Sequence, residues 1–265
     1  MGNRDTREEE TESAAVAHIL GVPVHVVGGD QAIRSMEQWI TKPDRSHWIA
    51  LTSSHGIVEG FKYPEFKAIL KSASLSLPDG KWTGRFAAWR RGCAPRQIRG
   101  VDLLEKFCAV ANKEGYSNFF YGDTEEVLGD LTSELRKRFP SLHVVGTYSP
   151  PFRELSSEED TRIMNLINQA APDVLWVGLG LPKQERWIYE HLDRLHVPVV
   201  VAVGAAFKFV SGKVKCSPPW VSDCGLEWAW RFLHEPRRLW HRVVIYGPQF
   251  VTHAVLELSG LRKYE

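Results

Sequence analysis

The stretch Val174–Trp187, reading VLWVGLGLPKQERW, permits few architectures. Its four apolar residues Val174-Leu175-Trp176-Val177 fit a strand buried on both faces of a sheet. Gly178 and Gly180 let the backbone turn sharply, and Pro182 has a fixed φ suited to the first position of a helix. Gln184, Glu185, Trp187, Ile188 and the run to Leu195 read as that helix. A strand, a glycine turn and a helix start aim free N–H groups and a positive helix end at one point, which suits a diphosphate. The same pattern also serves as an ordinary βα turn.

Short apolar runs alternate with helical spacings along the rest of the chain. Strands are expected at Val22–Val27, Trp48–Thr52, Leu75–Leu77, Asn118–Tyr121, Leu142–Val145 and Val199–Val203. Helices are expected from an Asp30 cap through Ile40, over Tyr63–Leu70 and Gly100–Glu114, over 124–139, and from Ser156 to Gln169 with Ser157 and Asp160 as a capping box. This rhythm predicts an α/β fold: a Rossmann-like, largely parallel sheet with helices on both faces. Residues 1–14 carry charge, Ser and Thr with almost no large apolar side chains and read as a disordered tail. The α/β body is expected over residues 15–212.

Residues 213–265 differ in character. Pro218, Pro219, Pro236 and Pro248 break them into short helical pieces carrying Arg231, Arg237, Arg238 and Arg242 among Trp228, Trp230, Phe232 and Trp240. Arginines interleaved with tryptophans suit a membrane surface, where apolar burial adds to attraction for headgroup phosphates. Taken singly, each Trp is better explained by packing on the body; taken together, they favour the membrane surface. Removing everything after about Gly212 is therefore expected to abolish membrane association.

Bulk properties narrow the function. The formal net charge of +1 gives no global argument for nucleic acid. The four cysteines have neither disulfide nor metal spacing, which predicts a reducing, cytosolic compartment. Met1–Ser13 is acid-rich rather than basic then apolar, so no secretory signal is expected. No apolar run reaches the roughly 18 residues of a spanning helix. GLG at 178–180 is not a GxGxxG, which argues against a dinucleotide cofactor, and no DxD pair or zinc-type histidine spacing suggests a metal.

Candidate chemistry gathers at strand ends. Asp79, in Leu77-Pro78-Asp79-Gly80, follows a strand and is either a turn aspartate or a carboxylate placed to take a proton from a hydroxyl. Thr52 and the hydroxyls after it are either caps or ligands for sugar and phosphate oxygens. Lys183 and Gln184 stand in the first turn after Pro182, where an amide offers both donor and acceptor. Glu227 and Arg231 are four apart and can pair on one helix face, with Arg238 a further seven along. Guanidinium groups over a departing diphosphate would offset its growing charge.

Leu77-Pro-Asp-Gly80, Arg99-Gly-Val-Asp-Leu103, Val177-Gly-Leu-Gly-Leu-Pro-Lys-Gln-Glu185, Gly204-Ala-Ala-Phe207 and Gly225-Leu-Glu-Trp228 with Arg231 and Glu235-Pro236 together resemble the WecG/TagA/CpsF glycosyltransferases from about Ile19 to Phe250. The resemblance implies an inverting, metal-independent hexosyltransferase without a cofactor. It would move a sugar (N-acetylmannosamine-like, its uronic acid, or a hexose) from a UDP-sugar to a polyprenyl-diphosphate-linked sugar, building extracellular or cell-wall polysaccharide. The protein would sit on the cytoplasmic face of the membrane, with self-association left open. By the resemblance Asp79 is the general base, and Thr52, Ser54, Arg99, Lys183, Gln184, Arg231, Arg238 and Arg242 contact substrates, with the C-terminal segment as a basic helical appendage closing over the site. The chain departs from the family pattern at Ser54 (usually Asn), Gln97 (often Arg, here flanked by Arg96 and Arg99), Lys208 (Asp), Cys216 (Arg) and His241 (Arg, with Arg242 beside it). Those departures motivate the alternative of a non-catalytic binder of nucleotide-sugar or lipid diphosphate on the same scaffold.

Overall fold

A computed structural model describes residues 15–264, leaving aside the side chains of Pro219 and Asp223; the tail expected at residues 1–14 lies outside the described residues. The chain opens with a hairpin of β1 (Val16–Ile19) and β2 (Val22–His25). Leu20 and Gly21, both at positive φ, make the two-residue turn whose twist suits a hairpin. Then follow α1 (Gly29–Thr41), β3 (His47–Thr52), α2 (Ser54–Lys62), α3 (Pro64–Lys71), β4 (Leu75–Pro78), α4 (Lys81–Arg91), α5 (Gly100–Glu114), β5 (Ser117–Gly122), α6 (Glu125–Arg138), β6 (His143–Tyr148), α7 (Ser157–Ala170), β7 (Val174–Gly178), α8 (Lys183–His191), β8 (Val199–Ala202) and α9 (Ala206–Val210). The C-terminal segment holds α10 (Pro219–Asp223), α11 (Glu227–His234), α12 (Pro236–Trp240), a π-helical stretch His241–Tyr246, and α13 (Gly247–Leu258).

Six strands form one sheet in the order β4-β3-β8-β7-β5-β6, every neighbouring pair parallel. Side chains alternate across it, as a period of two requires. Trp48, Ala50, Leu175, Val177, Val200 and Ala202 enter the core under the hairpin, α2, α3, α7, α8 and α13. Ile49, Leu51, Val174, Trp176, Val199 and Val201 enter the opposite core under α1, α5, α6 and α9. The chain is thus α/β with helices on both faces of a parallel sheet.

The connection β5–α6–β6 leads to one neighbour of β5 and β7–α8–β8 leads the other way, so the loops after β5 and β7 diverge at their carboxyl ends. Such divergence opens the crevice where ligands settle in open α/β sheets. At the edge strand, the Ser76 N–H donates to His25 Nδ1 at 2.9 Å, so the hairpin covers an otherwise unpaired β4 amide.

Several expected boundaries move, each for a visible reason. Pro182 lies one residue before α8, and Asp30 lies inside the first turn of α1, whose cap is Gly28. The capping box is Ser156 with Glu159, not Ser157 with Asp160. Asp160 is engaged by His191 Nε2 at 2.6 Å and Arg194 Nη1 at 2.7 Å, while the longer Glu159 reaches back to the Ser156 N–H at 3.0 Å. Helix α9 was not anticipated, nor were α2 and α4. Both α2 and α4 carry internal glycines that lower intrinsic helicity, and in both the packing demands them. A Cβ on Gly60 would stand 2.8 Å from Val22, and one on Gly84 only 2.0 Å from the Arg96 carbonyl oxygen.

The C-terminal segment contributes to the body's core. Phe250 and Ala254 are buried with the α2–α3 layer, Phe250 meets Phe86 of α4 edge-on at 5.4 Å, and Glu257 accepts the Leu20 N–H at 3.0 Å. Cutting after Gly212 would remove core as well as surface. Gly84→Ala drives a methyl into backbone that cannot yield. It should cost about 1–3 kcal/mol, typical of overpacking, and lower the melting temperature read by circular dichroism.

Candidate active site

Asp79 ends the edge strand and is fixed by its backbone, its N–H donating to the Thr52 carbonyl at 3.1 Å. The next residue, Gly80, has φ 107, a left-handed conformation that points α4 away from the strand end. Asp79 lines a pocket with Arg99, Phe209, Cys216, Glu227 and Arg231. Its carboxyl is pushed up to about 6, first by burial; Glu227 pushes the same way, while Arg242, then Arg231 and Arg99, pull it down.

The guanidinium groups come from separate parts of the chain. Arg99, just before α5, makes a bidentate pair with Asp102 at 2.7 and 2.6 Å, which fixes its plane. Arg231 lies with its guanidinium 5.2 Å above the Phe209 ring, and its Nε is buried without a partner. Arg242 in the π-helical stretch has its own proton affinity lowered by burial and then by Arg231. These like charges are held together where a dianion would relieve their repulsion. The expected Glu227–Arg231 pair does not form among the described residues: Arg231 turns over Phe209, and Glu227 lines the pocket opposite Arg99.

Thr52, Ser54, Lys183 and Arg238 do not line that pocket. Thr52 is buried, and its hydroxyl is 2.6 Å from the Ser76 hydroxyl. Ser53, not Thr52, caps α2, accepting the Gly56 N–H; Ser54 is half-buried in the first turn. Lys183 is exposed at the start of α8. Arg238 is exposed and its Nη1 donates to Glu235 at 2.8 Å.

Gln184 is buried, and its amide is occupied within the protein. Its Oε1 accepts the N–H of Gly180 at 3.1 Å and of Gly204 at 2.9 Å, and its Nε2 donates to Glu185 at 2.9 Å. The side chain thereby ties the loop after β7 to the loop after β8. Glu185 beside it is buried and pushed up to about 7 by that burial, with Gln184 pulling the other way.

Phe209 and His55 went unnoticed in the sequence. Phe209 lies one helical turn beyond the Gly204-Ala-Ala loop, a spacing that could have flagged it. His55 is lowered to about 4 by burial, then by Arg242 and Lys62; nothing local announces it, since Arg242 arrives from a distant segment. Lys208, at a position that departs from the family pattern, stands 3.7 Å from Asp123 at the end of β5, beside the divergent loops.

Gln184→Leu would leave two glycine N–H groups unpaired. It should destabilise the fold by about 1–3 kcal/mol per orphaned group, and hydrogen exchange at Gly180 and Gly204 should accelerate first.

The model of the family described as "Glycosyl transferase WecG/TagA/CpsF family" matches residues 17–264. Similar proteins include three enzymes named N-acetylglucosaminyldiphosphoundecaprenol N-acetyl-beta-D-mannosaminyltransferase. That of Bacillus subtilis is 29% identical over 66% of this chain and 66% of its own length. That of Bacillus spizizenii is 30% identical over 75% of this chain and 74% of its own. That of Staphylococcus aureus is 25% identical over 87% and 89%.

Proposed function

The chain belongs to the glycosyl transferase WecG/TagA/CpsF family, and from that premise we propose that it transfers a sugar from a UDP-sugar to a sugar carried on a polyprenyl diphosphate, with Asp79 as general base. The observation that carries this reading is one carboxylate sharing a pocket with Arg99 and Arg231, raised by burial and held down first by Arg242. A base of that strength suits proton transfer from a sugar hydroxyl. The guanidinium groups suit a leaving nucleoside diphosphate. The relatives' names support an N-acetylmannosamine-like donor sugar and a lipid-diphosphate acceptor.

The reaction is a single displacement. The acceptor hydroxyl gives its proton to Asp79 as its oxygen attacks the anomeric carbon. The bond from that carbon to the diphosphate breaks on the opposite face, so the anomeric centre inverts. Arg231 and Arg242 take up the charge gathering on the diphosphate, with Arg238 and Arg99 at the margins. Gln184 acts by positioning: it holds the Gly180 and Gly204 loops that wall the donor crevice. Ser54 and Lys183 are assigned to its rim, and Thr52 to supporting Asp79 through its carbonyl.

The acceptor's lipid calls for a membrane surface. No helix among the described residues is long and apolar enough to cross a membrane. The C-terminal segment instead exposes Trp220, Trp228, Leu233, Trp240 and Val244 beside Arg237 and Arg238. This face is assigned to peripheral docking on the cytoplasmic side.

Three experiments test the reading. Asp79→Asn should lower turnover by about 10² to 10⁴, measured as nucleoside diphosphate release from UDP-sugars on vesicles holding the lipid-linked acceptor. In the unaltered protein kcat/KM should fall as pH drops through about 6, because only the deprotonated carboxylate accepts the proton. Near-normal transfer by Asp79→Asn would remove the base assignment. The absence of any donor-dependent release by the unaltered protein would favour a binding-only scaffold. For the membrane face, Trp220→Ser, Trp228→Ser and Leu233→Ser combined should reduce vesicle cosedimentation by tenfold or more, on the order of 1.4 kcal/mol of lost apolar burial. Unchanged cosedimentation would reassign that face.

A further inference from the structure

The C-terminal segment passes from α12 to α13 through a π-helical stretch, His241–Tyr246. Such stretches are rare and gather at functional sites, because the wider turn re-aims side chains within a continuous helix. Within it two neighbours face different surroundings. His241 is exposed, its ring 3.8 Å from that of Trp240. Arg242 is half-buried and acts electrostatically on both Asp79 and His55.

The far end of the stretch is gripped by α2. Tyr246 meets the His55 ring edge-on, with centroids 4.2 Å apart, and Lys62 Nζ lies 4.5 Å over the Tyr246 ring. Burial, and then the Glu59 carboxylate, push the Tyr246 phenol up to about 12. His55, Glu59 and Lys62 are spaced four and three apart, so one face of α2 supplies the whole grip. Helix α2 starts two residues beyond Thr52, whose carbonyl holds the Asp79 N–H. One short rigid path therefore runs from the base through Thr52 and α2 to Tyr246. The unbroken helical backbone then returns from Tyr246 to Arg242.

We propose that Tyr246 is a positioning residue for the transfer reaction: seated against His55, Glu59 and Lys62, it holds the π-helical stretch in the register that turns Arg242, and not His241, toward Asp79. The inference rests on Asp79 being the base, and it adds what sets that base's strength. Arg242 comes first among the positive charges acting on Asp79, with Glu227, Arg231 and Arg99 the other charged groups acting on it. Loosening the grip withdraws Arg242, leaves the carboxylate less compensated, and raises its proton affinity.

The test is a titration of Asp79 in the full chain, by NMR of carboxyl-labelled aspartate, with the resonance assigned by Asp79→Asn. Arg242→Gln and Tyr246→Ala should each move the midpoint upward by about half a unit or more, roughly a threefold gain in proton affinity. The double variant should move it no further than either single one, because both remove the same interaction. Tyr246→Phe, which keeps the ring between His55 and Lys62, should stay close to the unaltered protein. Tyr246→Leu replaces Tyr246→Ala if the smaller side chain prevents folding. The acid limb of kcat/KM should shift upward in parallel.

A midpoint that Arg242→Gln moves and Tyr246→Ala or Tyr246→Leu does not would overturn the proposal. So would shifts that add in the double variant, or no shift in Arg242→Gln. Failure of the base assignment itself would look different, as retained transfer in Asp79→Asn whatever the titration shows.

Discussion

The organising constraint is a half-buried carboxylate just past the end of an edge strand, held ionisable by guanidinium groups from elsewhere in the chain. Removing Asp79 from solvent raises its proton affinity, and Arg242, Arg231 and Arg99 offset part of that cost. Arg242 in turn has its proton affinity lowered, first by burial and then by Arg231. Neither side of the site is comfortable alone. Asp79 and Arg99 come from the first half of the chain and Arg231 from near its C-terminus, and all three line one pocket.

Apolar packing makes that arrangement stable, since an electrostatic match by itself would be weak once solvated. Phe250 and Ala254 lie in the core beside α2, Phe86 meets Phe250, and Glu257 takes the Leu20 amide. The same α13 that completes the core therefore follows directly on the stretch carrying Arg242. On the opposite side of the pocket, the Gln184 amide joins the loops after β7 and β8. A buried, fully engaged amide is a stiffer device than an exposed one, because leaving its glycine partners unpaired would be costly.

Much of the body was legible locally. The two-residue alternation of Trp48–Thr52, Val174–Val177 and Val199–Val203 places side chains in two cores, and the helical spacing of 100–114 coincides with α5. Helices α2 and α4 were not legible, because their internal glycines read as breakers until Val22 and the Arg96 carbonyl are seen pressing on them. The shift of the capping box by one residue has the same origin: Asp160 is claimed by His191 and Arg194, which are distant in sequence. Gln184 read as a group facing a ligand, whereas its partners are two loops of its own fold.

The sequence by itself determined the fold class and the family, because periodicity, glycine turns and short motifs are local properties of the chain. Only the tertiary structure decided what surrounds the Asp79 carboxyl, which arginines act on it, and that Gln184 serves as a tie. Proton affinity and reach depend on burial and on charges brought together from residues more than a hundred positions apart, and no local spacing encodes either.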